Sequence, residues 1–87
     1  MKILRHNNFK KRYERLNKFL KEKVNSSIEK FYKNPRDPTL MNHALRGRMI
    51  GKRAISVTGD VRIIFEEYDN YILVMMLDVG THNQVYG

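Results

Sequence analysis

The fold is decided by residues 52–79, which read KRAISVTGDVRIIFEEYDNYILVMMLDV. Three segments rich in Ile, Val, Phe and Tyr, the residues that favour β-strands, occupy residues 52–58, 61–68 and 71–79. The pairs Gly59-Asp60 and Asp69-Asn70 separate these segments, and such short gaps leave no room for helical crossovers. The stretch therefore predicts a meander of three antiparallel strands.

The alternation of apolar residues also predicts how the first two strands pair. A three-residue loop pairs Val57 with Val61 and turns the apolar side chains of both strands to one face. A two-residue loop would instead place Arg62 opposite Val57 on the core face. Burial favours the three-residue loop, which puts Ala54, Ser56 and Arg62 together on the open face of the sheet.

Helical periodicity dominates the region before the strands. Apolar residues recur at helical spacing from residue 9 to residue 31, and Asn17 interrupts them. We therefore predict two helices, about 8–16 and 18–33, that form an antiparallel hairpin, with Asn7 or Asn8 as the first N-cap. A short strand over residues 2–6 precedes them. The prolines in Asn34-Pro35-Arg36-Asp37-Pro38 end the helical region, and residues 35–51 form a connector.

Together these elements predict one α+β domain over residues 1–87. Its order is β-α-α-β-β-β, with the N-terminal helix hairpin packed on one face of a small, mainly antiparallel sheet. The chain has no cysteine, and its histidines lack the spacing of a zinc site, so we expect no metal and no cofactor. With no long apolar segment and no signal peptide, a cytoplasmic protein without membrane contact is expected.

Positive charge is concentrated in the first part of the chain. Residues 1–53 carry 16 Lys and Arg against 4 Asp and Glu, whereas residues 54–87 carry 1 against 5. Such a basic surface attracts polyanions, because each neutralised phosphate releases counterions. Nucleic acid is the favoured partner, although an acidic protein or an anionic membrane would also suit this charge.

Two side chains that can take part in catalysis lie in the last eight residues, Gly80-Thr81-His82-Asn83-Gln84-Val85-Tyr86-Gly87. An imidazole titrates near neutral pH and can move protons, and an aromatic ring with a hydroxyl can stack on a base. Beside a basic body, His82 and Tyr86 suggest chemistry on RNA.

An ordered set of short motifs resembles the RelE/ParE superfamily of toxin–antitoxin toxins. The motifs are Asn42-His43-x-Leu45-x-Gly47, Gly59-Asp60-x-Arg62 and Gly80-Thr81-His82-x-x-x-Tyr86. Together with the basic helices, the resemblance covers nearly the whole chain. The branch that looks most similar is that of the RelE-type messenger-RNA endonucleases, particularly the YafQ-like subgroup.

This resemblance implies a toxin of a type II toxin–antitoxin system that cuts messenger RNA on the ribosome without a metal. The implied reaction is attack of a ribose 2′-hydroxyl on the adjacent phosphorus. The implied partners are a cognate antitoxin, ribosomal RNA and messenger RNA.

The resemblance also implies roles for particular residues. His82 matches the family's tail histidine and is the expected acid or base, and Arg62 matches a cation that stabilises the transition state. Tyr86 matches a tail aromatic, His43 a connector histidine and Asp60 a turn aspartate. The chain departs from the pattern at Ser56, where the subgroup has a second strand histidine. Expected RNA-binding residues are Arg46, Arg48, Lys52, Arg53, Lys10, Lys11 and Lys18.

Each assignment has a purely structural alternative. Arg62 could pair with Glu66 or Asp78, His82 could bind backbone, and Tyr86 could plug the sheet edge. Asp60 could only form its turn, and His43 could only pack. At the level of the whole protein, the alternatives are a ParE-like inhibitor of DNA gyrase and a relative that binds its antitoxin without catalysis.

Overall fold

A computed structural model describes residues 1–87 and confirms the predicted class, with helices packed on a mainly antiparallel sheet. The strands are β1 (Lys2–Arg5), β2 (His43–Ala44), β3 (Arg53–Ser56), β4 (Val61–Tyr68) and β5 (Leu73–Thr81). The helices are α1 (Asn7–Glu14), α2 (Lys18–Lys33) and α3 (His82–Tyr86), with single 3₁₀ turns at Pro38–Leu40 and Gly47–Met49. No helix is long and apolar enough to cross a membrane.

The five strands form one sheet in the order β1-β5-β4-β3-β2. β1 pairs with β5 in parallel, whereas every other pair is antiparallel. The predicted register of β3 and β4 is confirmed, since Ser56 lies opposite Arg62 and the amide of Val57 donates to the carbonyl of Val61 at 2.9 Å. A register shift in β4 and β5 falls between Ile64 and Phe65.

The main core lies between the sheet and the two long helices. Phe9, Val24 and Phe31 from the helices are fully buried against strand residues such as Ile63 and Phe65. The Phe31 and Phe65 rings meet edge to face, with centroids 4.9 Å apart. Burying an aliphatic or phenyl side chain contributes about 1.5–3 kcal/mol, so this layer supplies most of the stability.

The start of α1 differs from the prediction. The N-cap is His6, whose Nδ1 accepts from the amide of Asn8 at 3.1 Å; the prediction of Asn7 or Asn8 was wrong. An imidazole nitrogen can accept this bond as an asparagine oxygen does. The Asn8 side chain is used elsewhere, because its Nδ2 donates to the carbonyl of Leu77 and ties α1 to β5.

The connector is more ordered than the sequence predicts. It contributes β2, in which His43 lies opposite Ala54 of β3. Met41 (φ 51°) before the strand and Gly47 (φ 63°) after it turn the chain with left-handed backbone. A two-residue strand has no detectable periodicity, so its partner strand rather than its own sequence determines it.

The chain also continues beyond the predicted end of the last strand. β5 runs to Thr81, and the residues after it form α3. Val85 of α3 packs on the open face of the sheet against Ala54 and Ile64, with Leu45 and Met49 of the connector beside them. The connector and α3 thus cover part of the open face and leave a groove between them.

Candidate active site

This groove on the open face holds about 430 Å³ and brings together most of the predicted catalytic residues. Its lining consists of His43, Leu45, Arg46, Met49, Arg62, His82 and Tyr86. The apolar members, Leu45 and Met49, were not predicted as site residues. Leu45 belongs to the motif Asn42-His43-x-Leu45-x-Gly47, but a connector without periodicity does not indicate which way its side chains face.

Arg62 lies on the open face, near the start of β4, the central strand of the sheet. Its neighbours across the sheet are Ser56, which has a small side chain, and Gly80, which has none. Nη1 donates to the carbonyls of Thr58 at 2.9 Å and Val61 at 3.3 Å, which holds one end of the guanidinium near the β3–β4 loop.

No carboxylate pairs with Arg62. Asp78 instead pairs with Arg12 at 3.6 Å, and Glu66 accepts from the Tyr68 hydroxyl at 3.2 Å. The structural alternative, in which Arg62 pairs with Glu66 or Asp78, is therefore wrong. Arg62 is a cation without a counter-ion in the groove.

His82 and Tyr86 lie one turn apart on α3. Their rings meet at 62° with centroids 4.5 Å apart. A capping box fixes the helix, because Thr81 Oγ1 accepts from the amide of Gln84 and Gln84 Oε1 accepts from the amide of Thr81. The two side chains are thus presented to the groove as one unit.

Gly80 is needed for this capping box. A Cβ at this position would lie 2.6 Å from Oε1 and 3.2 Å from Cβ of Gln84. The strand can therefore pass into α3 with the Gln84 side chain folded back only when residue 80 has no side chain.

Tyr86 keeps its proton at neutral pH. Burial raises the pKa of its phenol above the ordinary value, and the nearby charge of Arg62 offsets only part of this rise. The hydroxyl can therefore donate a hydrogen bond. Arg48 of the connector donates from Nη2 to the carbonyl of Tyr86 at 3.3 Å and ties the end of α3 to the opposite wall.

His43 enters the groove from β2 and is exposed. Its Nδ1 lies 2.8 Å from the carbonyl of Met41. A carbonyl can only accept, so this contact places a proton on Nδ1 and leaves Nε2 of the neutral ring as a free acceptor. Such a ring can take a proton from a bound substrate.

Asp60 does not line the groove. Its carboxylate is exposed in the β3–β4 loop, whereas its backbone carbonyl accepts from the amide of His82 at 3.0 Å. Asp60 thus contributes to the site through the main chain, at the point where α3 begins.

The predicted RNA-binding residues separate into three groups. Arg46 and Arg48 lie at the groove, while Lys10, Lys11 and Lys18 are exposed on the helices. The structure does not bring Lys52 and Arg53 to the groove. Arg53 points to the helix side of the sheet, where its Nε donates to Oδ1 of Asn42 at 2.9 Å.

Helices packed on a mainly antiparallel five-stranded sheet match the fold of RelE-like toxins. On the open face of this sheet, an unpaired arginine, two imidazoles and a phenol lie together. The family described as bacterial toxin of type II toxin–antitoxin system, YafQ, matches residues 1–87, and the chain belongs to this family.

Solved structures agree on the fold. YafQ from E. coli strain BL21(DE3) superposes with a TM-score of 0.79 at 21% identity, over 98% of this chain and 97% of that one. A YoeB/ParE toxin from Agrobacterium tumefaciens gives 0.78 at 20% identity, over 94% and 99%. YafQ in the E. coli DinJ-YafQ toxin-antitoxin complex gives 0.77 at 21% identity, over 98% and 96%. No curated protein sequence matches the chain significantly.

Proposed function

We propose that this toxin is an endoribonuclease that cuts messenger RNA on the ribosome and so inhibits translation. The observation that carries the proposal is the groove itself, in which the unpaired cation Arg62 lies with His43, His82 and Tyr86. Cleavage of an RNA strand by its own 2′-hydroxyl needs a base, an acid and positive charge at the phosphate. The groove offers candidates for all three, and the mechanism uses no metal.

The proposed reaction transfers a phosphoryl group within the RNA. The 2′-oxygen forms a bond to the adjacent phosphorus as its proton passes to a base, and the bond from phosphorus to the 5′-oxygen breaks as an acid supplies a proton. The products carry a 2′,3′-cyclic phosphate and a 5′-hydroxyl. Water later adds to the phosphorus of the cyclic phosphate and breaks its bond to the 2′-oxygen, which leaves a 3′-phosphate and restores the 2′-hydroxyl.

The residues take the following roles in this proposal. His82 is the leading acid or base, and His43, with Nε2 free, exchanges the second proton. Arg62 stabilises the charge that develops on the pentavalent phosphorus, and neutral Tyr86 stacks on a base or orients the strand. Ser56, where the YafQ-like pattern has a second histidine, lies opposite Arg62. Because serine cannot exchange a proton at neutral pH, the proton transfers fall to His82 and His43.

Asp60 assists only indirectly, because its carbonyl positions the amide of His82. Arg46 and Arg48 contact the RNA backbone at the groove, and Lys10, Lys11 and Lys18 dock ribosomal RNA from the helix layer. Because translating ribosomes lie in the cytoplasm, the proposed activity would take place there.

A cognate antitoxin is the proposed protein partner. The E. coli structures of similar fold include YafQ in complex with DinJ, and the Mycobacterium tuberculosis RelBE2 toxin–antitoxin complex gives a TM-score of 0.64 at 16% identity. Binding of an antitoxin would hold the toxin inactive.

The decisive experiment adds the purified protein to translating ribosomes and maps the ends of the messenger RNA. We expect cuts that depend on the ribosome, with 2′,3′-cyclic phosphate and 5′-hydroxyl ends. A gyrase inhibitor would leave the RNA whole and generate DNA breaks. A protein that binds its antitoxin but cuts neither nucleic acid would contradict the enzymatic role altogether.

A further inference from the structure

A second cavity lies on the helix side of the sheet, away from the groove. It holds about 430 Å³, and the side chains that matter in it are Arg36, Asn42, Arg53 and Tyr71. Arg53 follows the alternation of β3 and faces away from its neighbour Ala54, which packs on the open face. We call this cavity the Arg36–Arg53 recess.

Asn42 fixes the inner wall of the recess. Its Nδ2 donates to the carbonyl of Pro35 and to the Tyr71 hydroxyl, both at 3.0 Å. These two bonds determine which way the amide faces, so Oδ1 must point to Arg53, whose Nε donates to it at 2.9 Å. The guanidinium of Arg53 is therefore held in place while its two terminal nitrogens remain free.

Arg36 forms the outer wall. Its guanidinium lies over the Tyr71 ring, 5.4 Å from the centroid, and Nη2 donates to Asn70 Oδ1 at 3.4 Å. Stacking on an aromatic ring leaves the edge of a guanidinium available to oxygen acceptors. Both arginines thus present donors to one cavity.

Neither arginine has a carboxylate partner, although two carboxylates line the same recess. Asp37 Oδ1 accepts from the amide and the hydroxyl of Thr39 at 2.9 and 2.7 Å, and Glu67 Oε1 accepts from the amide of Tyr71 at 3.0 Å. The ion pairs of the chain are Arg12–Asp78, Lys21–Glu14 and Lys33–Glu29. The acids in the recess are turned to the chain's own donors, and the two cations are left for an external anion.

We propose that the Arg36–Arg53 recess binds a phosphate group of the RNA backbone, as a contact site separate from the cleavage groove. Guanidinium forks match the oxygens of a phosphate and form short, charge-assisted bonds with them. Both arginines belong to the strongly basic part of the chain, which favours RNA over an acidic peptide as the source of the anion. The choice of RNA rests on the proposed function.

A titration followed by NMR tests the site directly. The probe is a short single-stranded RNA with 2′-O-methyl riboses, which cannot be cut because it lacks the attacking hydroxyl. We expect shifts of the Asn42 side-chain amide and the Tyr71 backbone amide. They should persist in Arg62→Ala, which alters the groove, and disappear in Arg36→Gln, which leaves the Asn42 network intact.

Salt dependence supplies a second measurement. For single strands, each phosphate neutralised by the protein contributes about −0.7 to the slope of log K against log salt. Replacing Arg36 and Arg53 together by Gln should make this negative slope shallower by about 0.7. The matched control replaces Arg15, an exposed cation outside the recess, by Gln. Arg15→Gln should leave the NMR shifts of the recess unchanged. Its effect on the free energy of RNA binding should add to that of Arg36→Gln, whereas the effects of Arg36→Gln and Arg53→Gln should not add.

The outcomes separate this proposal from the proposed function. If the RNA probe moves no signal in the recess while the protein cuts RNA on ribosomes, the recess proposal is wrong and the cleavage proposal stands. If an antitoxin moves those signals and the RNA probe does not, the recess is a protein interface and the proposal also fails. If the probe binds in the recess but no RNA is cut on ribosomes, the enzymatic proposal fails by itself.

Discussion

Arg62 combines a structural contact with an open charge. Part of its guanidinium holds the carbonyls of Thr58 and Val61, and the rest faces the groove without a counter-ion. A cation that is fixed before substrate arrives needs no reorganisation during the reaction, and for this reason preorganised charge is effective in catalysis.

We therefore expect Arg62→Ala to reduce cleavage by at least about tenfold, since it removes charge from the transition state. The loss of its hydrogen bonds should cost only about 1 kcal/mol of unfolding free energy. Cleavage on ribosomes and a denaturant melt measure the two effects. Arg62→Lys keeps the charge but not the planar, forked guanidinium. Its cleavage rate should fall between those of Arg62→Ala and the unchanged protein. Full activity of Arg62→Ala would remove the catalytic role.

His82 should account for most of the cleavage rate as the proposed leading acid or base. Replacing it with Ala should abolish most of the rate, because the proposed reaction passes a proton through its ring. Asn83→Ala, a neighbour on α3 that does not line the groove, is the matched control and should leave the rate unchanged. A rate that survives in His82→Ala would transfer the acid or base role to His43.

Tyr86 should contribute as a neutral ring. The raised pKa means that its phenolate forms only at a pH above the ordinary range for tyrosine, so it adds no titration near neutrality. Tyr86→Phe should therefore keep the shape of the pH profile and most of the rate. Tyr86→Ala should lose about 1–3 kcal/mol of substrate binding if the ring stacks on a base, and KM measured beside kcat reports this loss. A large loss in the Phe variant would instead assign the role to the hydroxyl.

At the scale of elements, α3 depends on the capping box that begins it. We expect Gly80→Ala to displace Gln84, break the box and destabilise the protein by about 1 kcal/mol. Cleavage should fall by more than this stability loss explains, because His82 would move with the helix. Gly59→Ala is the control, since a Cβ there meets nothing within 4 Å. Equal stability and activity in the two variants would show that the capping box does not position the site.

The elements also show what the sequence can and cannot predict. β4 and β5 carry an apolar pattern over eight and nine residues, and burial allowed even the pairing of Val57 with Val61, beside β3, to be predicted. β2 and α3 are too short for periodicity, and contacts with the sheet stabilise them. The Thr81-x-x-Gln84 capping signal could nevertheless have indicated a helix there.

The same reasoning applies to the candidate site. Arg62 was predictable because it interrupts an apolar strand, and the groove does contain it with His43, His82 and Tyr86. The face that Arg53 occupies follows from its alternation with Ala54. Its partner could not be predicted, because the fold brings Asn42 from a different segment. Side chains that meet through tertiary structure leave no local pattern.

At the scale of the whole molecule, the basic helix layer lies on the side of the sheet opposite to the groove. Reversing the charges of Lys10, Lys11 and Lys18 should weaken ribosome association and flatten its salt dependence, because fewer counterions are released. Lys21, another lysine of α2, is left out of this variant because it already pairs with Glu14 at 3.6 Å. Sedimentation with ribosomes at several salt concentrations measures the change. Binding that is the same at every concentration would show that these lysines are only solvated.

The place of β5 in the sheet has a consequence for the synthesis of the toxin. This last strand in sequence lies between β1 and β4, and it carries α3 at its end. A nascent chain that has exposed only residues 1–68 lacks the strand that β1 and β4 both need, and such distant pairings form slowly. The groove therefore cannot be complete before β5 and α3 have been made. A partly translated chain has no assembled site with which to cut the messenger RNA that we propose as its substrate.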